Sequence, residues 1–162
     1  MIVLVACART KAGEAKPARF LYLSDLFQKA ALLAELMVED ARRKGDAGAA
    51  WFVLSAKHRL LEPSRVTAPY DESLFGMGKR EREAWGAAVM EELAPHLGEG
   101  VDVVLLAGKE YREPLLGGLN RAGCRVHVPM ARMGIGRQKE WLAMMAATMR
   151  RGQADSVEKD TR

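Results

Sequence analysis

The stretch WFVLSAKHRLLEP, residues 51–63, sets four apolar residues ahead of Ser55, Lys57, His58 and Arg59, then returns to leucine twice. A buried strand has no use for the charged interruption, and an exposed loop has no use for Leu60 and Leu61. One reading reconciles the two halves. Residues 51–55 form a strand buried on both faces, which ends by delivering polar groups at its carboxyl end, while Leu60 and Leu61 anchor the loop that carries them.

Three further stretches share this grammar. MIVLVAC (residues 1–7) is followed by ARTK, VDVVLLAG (101–108) by KEYR, and the shorter CRVHVP (124–129) by MARMGIG. Helical patterns lie between and after them. Ser24 and Asp25 offer an N-cap to a helix with Leu26, Ala30, Leu33, Met37 and Ala41 on one stripe, stopping near Gly45. A second helix is predicted from about Lys79 to Leu97, with Trp85, Val89 and Leu93 inward and Pro95 placed to end or kink it. Residues 109–123 read as a short helix weakened by Gly117 and Gly118 and closed by Gly123. Residues 136–151 form the last helix, with Trp141, Leu142, Met145 and Met149 inward. The long connection from Ala56 to about Gly78 is punctuated by Pro63, Pro69, Gly76 and Gly78.

Strands alternating with helices predict a three-layer α/β fold: about four largely parallel strands with helices on both faces. The expected organisation is one domain over residues 1–151, with a disordered tail from Gly152 that has no apolar face to bury. In open sheets of this kind ligands sit outside the carboxyl ends of the strands. The four polar segments should therefore meet at one rim, and that convergence is the main functional signal.

Bulk properties set limits. The 162 residues, 49% hydrophobic and 28% charged, describe an ordinary globular chain, and the net charge of +4 permits an anionic partner without marking a dedicated nucleic-acid binder. The first residues read as neither signal peptide nor membrane span, so no membrane association is expected. Cys7 and Cys124 read as reduced thiols, which points to the cytoplasm. His58, His96 and His127 lie on separate elements without paired-ligand spacing, so neither metal nor cofactor is predicted.

Each rim residue has two readings. His58 is either a general acid or base or a group that holds the loop in shape. Lys57 either meets an anion or is solvated. Asp71, in PYDESL, either activates a water or caps a turn, and Tyr70 is a stacking group for a planar ligand. Arg9, Thr10 and Lys11 belong to a basic loop, together with Lys16 and Arg19, that suits phosphate or merely solubility. Cys7 beside them reads more readily as a small buried group than as a nucleophile. Gly108 allows close approach to a helix start at which Lys109, Glu110 and Tyr111 stand. Gly134 and Gly136 form a weaker glycine-rich helix entry without any nucleotide fingerprint.

The segments ACARTK, KPARFLYLSDLF, WFVLSAKHRLLEPSRVTAPYDESL, LAGKEYREPL and GIGRQKEWL, in this order across about residues 2–142, resemble an uncharacterised bacterial and phage family, domain of unknown function 6884. Its signature is close to Ser-Ala-Lys-His-Gly-Leu-Leu followed by Pro-Tyr-Asp. Arg59 stands where that family usually has glycine, Ala8 where it has serine, and Phe20 where aspartate is common. A more distant similarity reaches the YaaA family of peroxide-stress proteins, whose longer members carry a helix-hairpin-helix insert that is not visible in this sequence.

Neither resemblance implies a mechanism. The rim residues point to an enzyme acting on a nucleotide or nucleic-acid base by N-glycosidic cleavage or exchange. In that reading His58, Asp71 and Lys109 are catalytic. Cys7, Arg9, Thr10, Lys11, Ser55, Lys57, Tyr70, Gly108, Tyr111, Gly134 and Gly136 bind substrate. The expected partner is a nucleotide, nucleobase or nucleic acid, and nothing in the sequence fixes an oligomeric state. The competing class is a non-catalytic nucleic-acid-binding or stress-protection protein.

Overall fold

Alternate side chains of the first strand enter two different cores. In β1 (Ile2–Ala6), Val3 and Val5 pack on one side of the sheet and Ile2 and Leu4 on the other, all at most 1% exposed. A strand buried on both faces must lie mid-sheet with a layer on each, and β1 does. The computed structural model describes residues 1–160.

After β1 the chain forms β2 (Lys16–Pro17), the short helix α1 (Ala18–Leu21), and α2 (Asp25–Arg43), capped by Ser24 Oγ accepting from the Phe27 amide. Then come β3 (Ala50–Ser55), β4 (Arg59–Leu61), β5 (Val66–Thr67) and a 3-10 turn at Leu74–Gly76. Helix α3 (Lys79–Leu93) gives way to a second 3-10 turn at Ala94–His96, where Pro95 cannot continue the α-helical ladder. β6 (Asp102–Leu106), α4 (Lys109–Arg121), β7 (Arg125–His127) and α5 (Ile135–Asp160) complete the chain.

The sheet order is β4-β3-β1-β6-β7, with β3, β1, β6 and β7 parallel and β4 antiparallel at one edge. The expected α/β architecture is thus present, with a fifth strand added. Helices α2 and α5 pack on the Val3/Val5 face, and α3 and α4 on the Ile2/Leu4 face. The last two approach closely, because a Cβ at Gly86 would lie 2.6 Å from the Pro114 Cβ.

β4 takes Arg59 and the two leucines of the 51–63 stretch, where a loop was expected. The chain turns over residues 56–58 and returns, pairing Arg59 with Ser55 and Leu61 with Val53. Arg59 makes the turn in the left-handed region, at φ 61°, a conformation that favours glycine. Here the arginine takes a place that glycine would hold without strain.

The last helix extends further than its apolar pattern. Packing against the core reaches Met149, yet α5 is continuous across Gly152 to Asp160, where the sequence pattern ends it near residue 151. Gln153, Ala154, Glu158 and Lys159 are tolerable helix formers, and neither Pro nor a left-handed cap stops the ladder. Residues 161 and 162 of the expected tail lie outside the described residues. Among the described residues no helix is long and apolar enough to cross a membrane.

Candidate functional site

The strand order dictates where the chain opens. The connection leaving β1 runs through α2 to β3 on one side, whereas that leaving β6 runs through α4 to β7 on the other. The two depart to opposite faces, so the carboxyl ends of β1 and β6 part and leave a crevice. A cavity of 260 Å³ lies there, lined by Cys7 and Ala8 after β1, Ala107 and Gly108 after β6, Phe27 of α2, Tyr111 of α4, and Ile135 and Gln138 of α5. Two larger grooves, of 780 and 750 Å³, include the strand-start residues Met1 and Asp102 in one case and Ala50 and Trp51 in the other, and so lie at the amino ends of the sheet. The polar strand-end segments do not reach them.

Three helix amino ends border the cavity: Ser24, Leu26 and Phe27 from α2, Gly108 and Tyr111 from α4, and Ile135 and Gln138 from α5. Aligned peptide dipoles give each a partial positive charge. Gly108, the N-cap of α4, provides no side-chain cap, so the first amides of that helix are available to a ligand. Its φ of −65° needs no glycine. A Cβ there would meet only the Glu110 carboxylate, at 3.8 Å. Neither strain nor packing within the chain demands glycine at 108; the space it leaves belongs to the cavity. Gly134 and Gly136 stand in the open at the start of α5, where a Cβ on either would meet nothing within 4 Å.

Beside the cavity runs a buried chain of hydroxyls. Tyr22 and Tyr70 share a hydrogen bond of 2.7 Å, and Tyr70 and Ser55 another of 2.7 Å. Ser55 Oγ also accepts from the His58 amide at 2.9 Å, and the Ser55 carbonyl accepts from Trp85 Nε1 at 2.9 Å. Cys7 Sγ lies 3.3 Å from the Tyr111 hydroxyl as its donor. Burial drives all three phenols upward in pKa: Tyr22 to about 12, and Tyr70 and Tyr111 further, with the nearby Cys7 adding to each.

This geometry sorts the sequence candidates. Cys7, Gly108 and Tyr111 line the cavity itself. Ser55 is fully buried, and the ring of Tyr70 is covered by Lys11, whose Nζ is 4.3 Å from its centroid, and by the edge of His58 at 5.3 Å. These two residues therefore belong to the buried hydroxyl chain and not to the cavity lining; neither offers a free face for stacking. His58 is half-buried and its pKa is lowered, first by desolvation and then by Arg65 and Lys57, so the ring is neutral near pH 7. Lys57 pairs with Glu72 at 3.7 Å, and Asp71 beside it is exposed. Lys109 pairs with Glu113 on its own helix and lines a separate groove with Lys79, Arg82 and Glu83. The structure thus brings His58 to Tyr70 but directs Lys109 to the α3–α4 side.

The basic loop after β1 is fixed in place. The Leu23 amide donates to the Thr10 carbonyl and the Ala12 amide to the Leu21 carbonyl, while β2 pairs with β5. Arg19 is taken up by Glu35 and Gln28, and Lys16 by Glu14. Arg9 is exposed directly after the lining residue Ala8, and Lys11 Nζ donates to the Arg9 carbonyl at 3.2 Å while lying over the Tyr70 ring.

A family profile matches residues 2–144. The chain belongs to the family of unknown function DUF6884. No curated protein and no solved structure matches it. In this DUF6884 chain the resemblance spans every strand of the sheet and every segment that borders the cavity.

Sequence reasoning missed Tyr22, Phe27, Phe75 and Gln138 as parts of the site. Tyr22 carried a signal, an aromatic residue in the apolar run FLYL just ahead of an N-cap serine. The other three are ordinary helix or turn residues, given a role only by the position of the crevice. Among the described residues no group of three or more His, Cys, Asp or Glu is arranged to hold a metal ion.

Proposed function

We propose that this protein is an enzyme acting on a nucleotide or nucleic-acid base, with the base held in the cavity between the ends of β1 and β6. The observation that supports it is the cavity itself: 260 Å³, apolar on its walls, edged by a thiol, a phenol and a glutamine amide, and faced by three helix amino ends. Apolar walls with a few convergent polar groups suit a planar heterocycle, and helix amino ends suit the phosphate attached to it. Arg9, directly after the lining residue Ala8, adds cationic charge at the same edge.

With the ring inside and the sugar outside, the N-glycosidic bond lies at the mouth. Cleavage or exchange there needs a group to stabilise the developing cation or activate the attacking nucleophile, and a base to accept its proton. Asp71, exposed and next to Tyr70 in the chain, fills the first role; neutral His58, against the Tyr70 ring, fills the second.

The test is to incubate the protein with nucleosides, nucleotides and oligonucleotides and to follow free base by chromatography. Release or exchange of a base, lost in Asp71→Asn and His58→Ala while binding persists, is the expected result. Binding without turnover would hand the site to the non-catalytic alternative, and no binding of any base-bearing compound would remove the reading altogether.

A further inference from the structure

We propose that the base entering the cavity is carried by a polynucleotide strand, which lies across a rim built from Phe75, Ile135 and the guanidinium groups of Arg9, Arg132 and Arg137. This rests on the reading of the cavity as a base site and names the substrate class that the reading leaves open.

The cavity's size is the first reason. At 260 Å³ it falls below the roughly 300–1,000 Å³ of pockets that enclose a drug-sized ligand. It takes one ring system and leaves sugar and phosphates on the surface, so the outer surface of the mouth decides what the base is attached to.

That outer surface is not built for water. Phe75 is 72% exposed and Ile135 64% exposed, and both line the cavity. Leu23, 53% exposed, precedes the lining residue Ser24. Phe75 sits on the 3-10 turn that Ser73 caps, its ring 6.4 Å from that of Tyr111 and tilted 64° to it. An aromatic ring fixed at the lip of a base-sized cavity is a platform for the neighbouring base of a strand, and stacking of this kind is tolerant of sequence.

Charge is the second reason. Arg9 follows the lining residue Ala8, Arg132 lies between Met130 and the start of α5, and Arg137 lies between Ile135 and Gln138. All three are exposed, and among the described residues none is held in an ion pair. Arg132 is also kept in the left-handed region, at φ 63°, a strain that clusters at functional edges. Guanidinium groups beside exposed apolar side chains suit a phosphate backbone with bases turned toward the protein. A protein partner would be met by an apolar centre poor in charge.

The proposal is tested on the full chain by fluorescence anisotropy with labelled single-stranded and duplex oligonucleotides, alongside calorimetry with nucleoside monophosphates. An oligonucleotide should bind at least tenfold more tightly than any monophosphate. For a single strand, the logarithm of affinity should fall with the logarithm of salt at a slope of about −2, as about 0.7 per phosphate for three arginines requires. Phe75→Ala should weaken oligonucleotide binding by about tenfold or more and monophosphate binding by a clearly smaller factor. Arg137→Glu, at an exposed position outside the cavity lining, should weaken oligonucleotide binding by about tenfold or more, leave monophosphate binding unchanged and flatten the salt slope. Monophosphates bound as tightly as oligonucleotides would overturn the polynucleotide rim while sparing the base cavity. Failure of both would remove the cavity reading with it. Self-association lost in Phe75→Ala, without oligonucleotide binding, would make the rim a protein contact and overturn the proposal.

Discussion

The hydroxyl of Tyr70 lies 2.7 Å from Ser55 Oγ and 2.7 Å from the hydroxyl of Tyr22, so one phenol joins the end of β3 to the segment that precedes α2. Tyr70 is the central member and Tyr22 a terminal one. Tyr70→Phe strands the buried Tyr22 hydroxyl and leaves Ser55 Oγ with only the His58 amide, at a cost of about 1–3 kcal/mol, whereas Tyr22→Phe leaves Tyr70 bonded to Ser55 and should cost about 1 kcal/mol. Urea denaturation of both variants checks the order, which should not invert.

All three tyrosines of the chain are buried with raised pKa values, burial being the first cause in each. For an acid whose charged form is the deprotonated one, a raised folded value means that the unfolded chain releases its proton first. The stabilising contribution is therefore complete below the ordinary tyrosine value of 10.0 and is lost as pH rises above it, towards about 12 for Tyr22. Phenolate absorbance should show no step near pH 10 in the folded protein and should appear together with unfolding. A normal step for even one tyrosine would show that its hydroxyl reaches water.

Arg59 offers a test of backbone strain. Its φ of 61° favours glycine, and its ion pair with Glu92, 2.6 Å between partly exposed groups, offsets little of the strain. Comparing Arg59→Gly with Arg59→Ala removes the ion pair from both sides. The glycine variant should be the more stable by about 1 kcal/mol.

Why the sequence revealed the layers but not this hairpin follows from the same residue. Val3, Val53 and Val104 announce buried strands because burial on both faces demands unbroken apolar runs. β4 is three residues long, only Leu61 of it is fully buried, and its first residue adopts a conformation that arginine rarely takes. Period and propensity carry no signal at that length. The rim was legible for a related reason: parallel strands bring their following loops to one edge whatever the loops contain. Which residues face the crevice was not legible, because that depends on the divergence of α2 and α4, a property of strand order. Tyr70 and Ser55, proposed as ligand contacts from their positions, are occupied with each other. Lys109 opens a helix at the rim, yet its side chain follows α4 towards α3.

Gly86 sets two known effects against each other. Alanine is preferred to glycine inside a helix by about 1 kcal/mol, but a Cβ at 86 would stand 2.6 Å from Pro114 Cβ and 2.7 Å from its carbonyl oxygen. Backbone cannot yield as a flexible side chain does, so α3 and α4 would have to move apart. Gly86→Ala should destabilise by about 2 kcal/mol or more despite the better propensity. A melting temperature equal to the parent's would show that the two helices separate freely.

Gly108 is the counterpart at which stability and binding should move in opposite directions. As the N-cap of α4 it has ordinary backbone geometry and open space where a side chain would go. Serine there can accept from the first-turn amides and should raise stability by a few tenths of a kcal/mol relative to glycine, whereas alanine should lower it by about 0.5–1 kcal/mol. Both substitutions place atoms at the edge of a 260 Å³ cavity, and serine also occupies the amides offered to a ligand. Gly108→Ser should therefore melt at or slightly above the temperature of the parent protein while losing at least tenfold in affinity for a base-bearing ligand, measured by calorimetry. Gly134→Ser, at an open position outside the cavity lining, serves as the control and should leave affinity within about twofold. Undiminished binding in Gly108→Ser would place the ligand elsewhere than between the ends of β1 and β6.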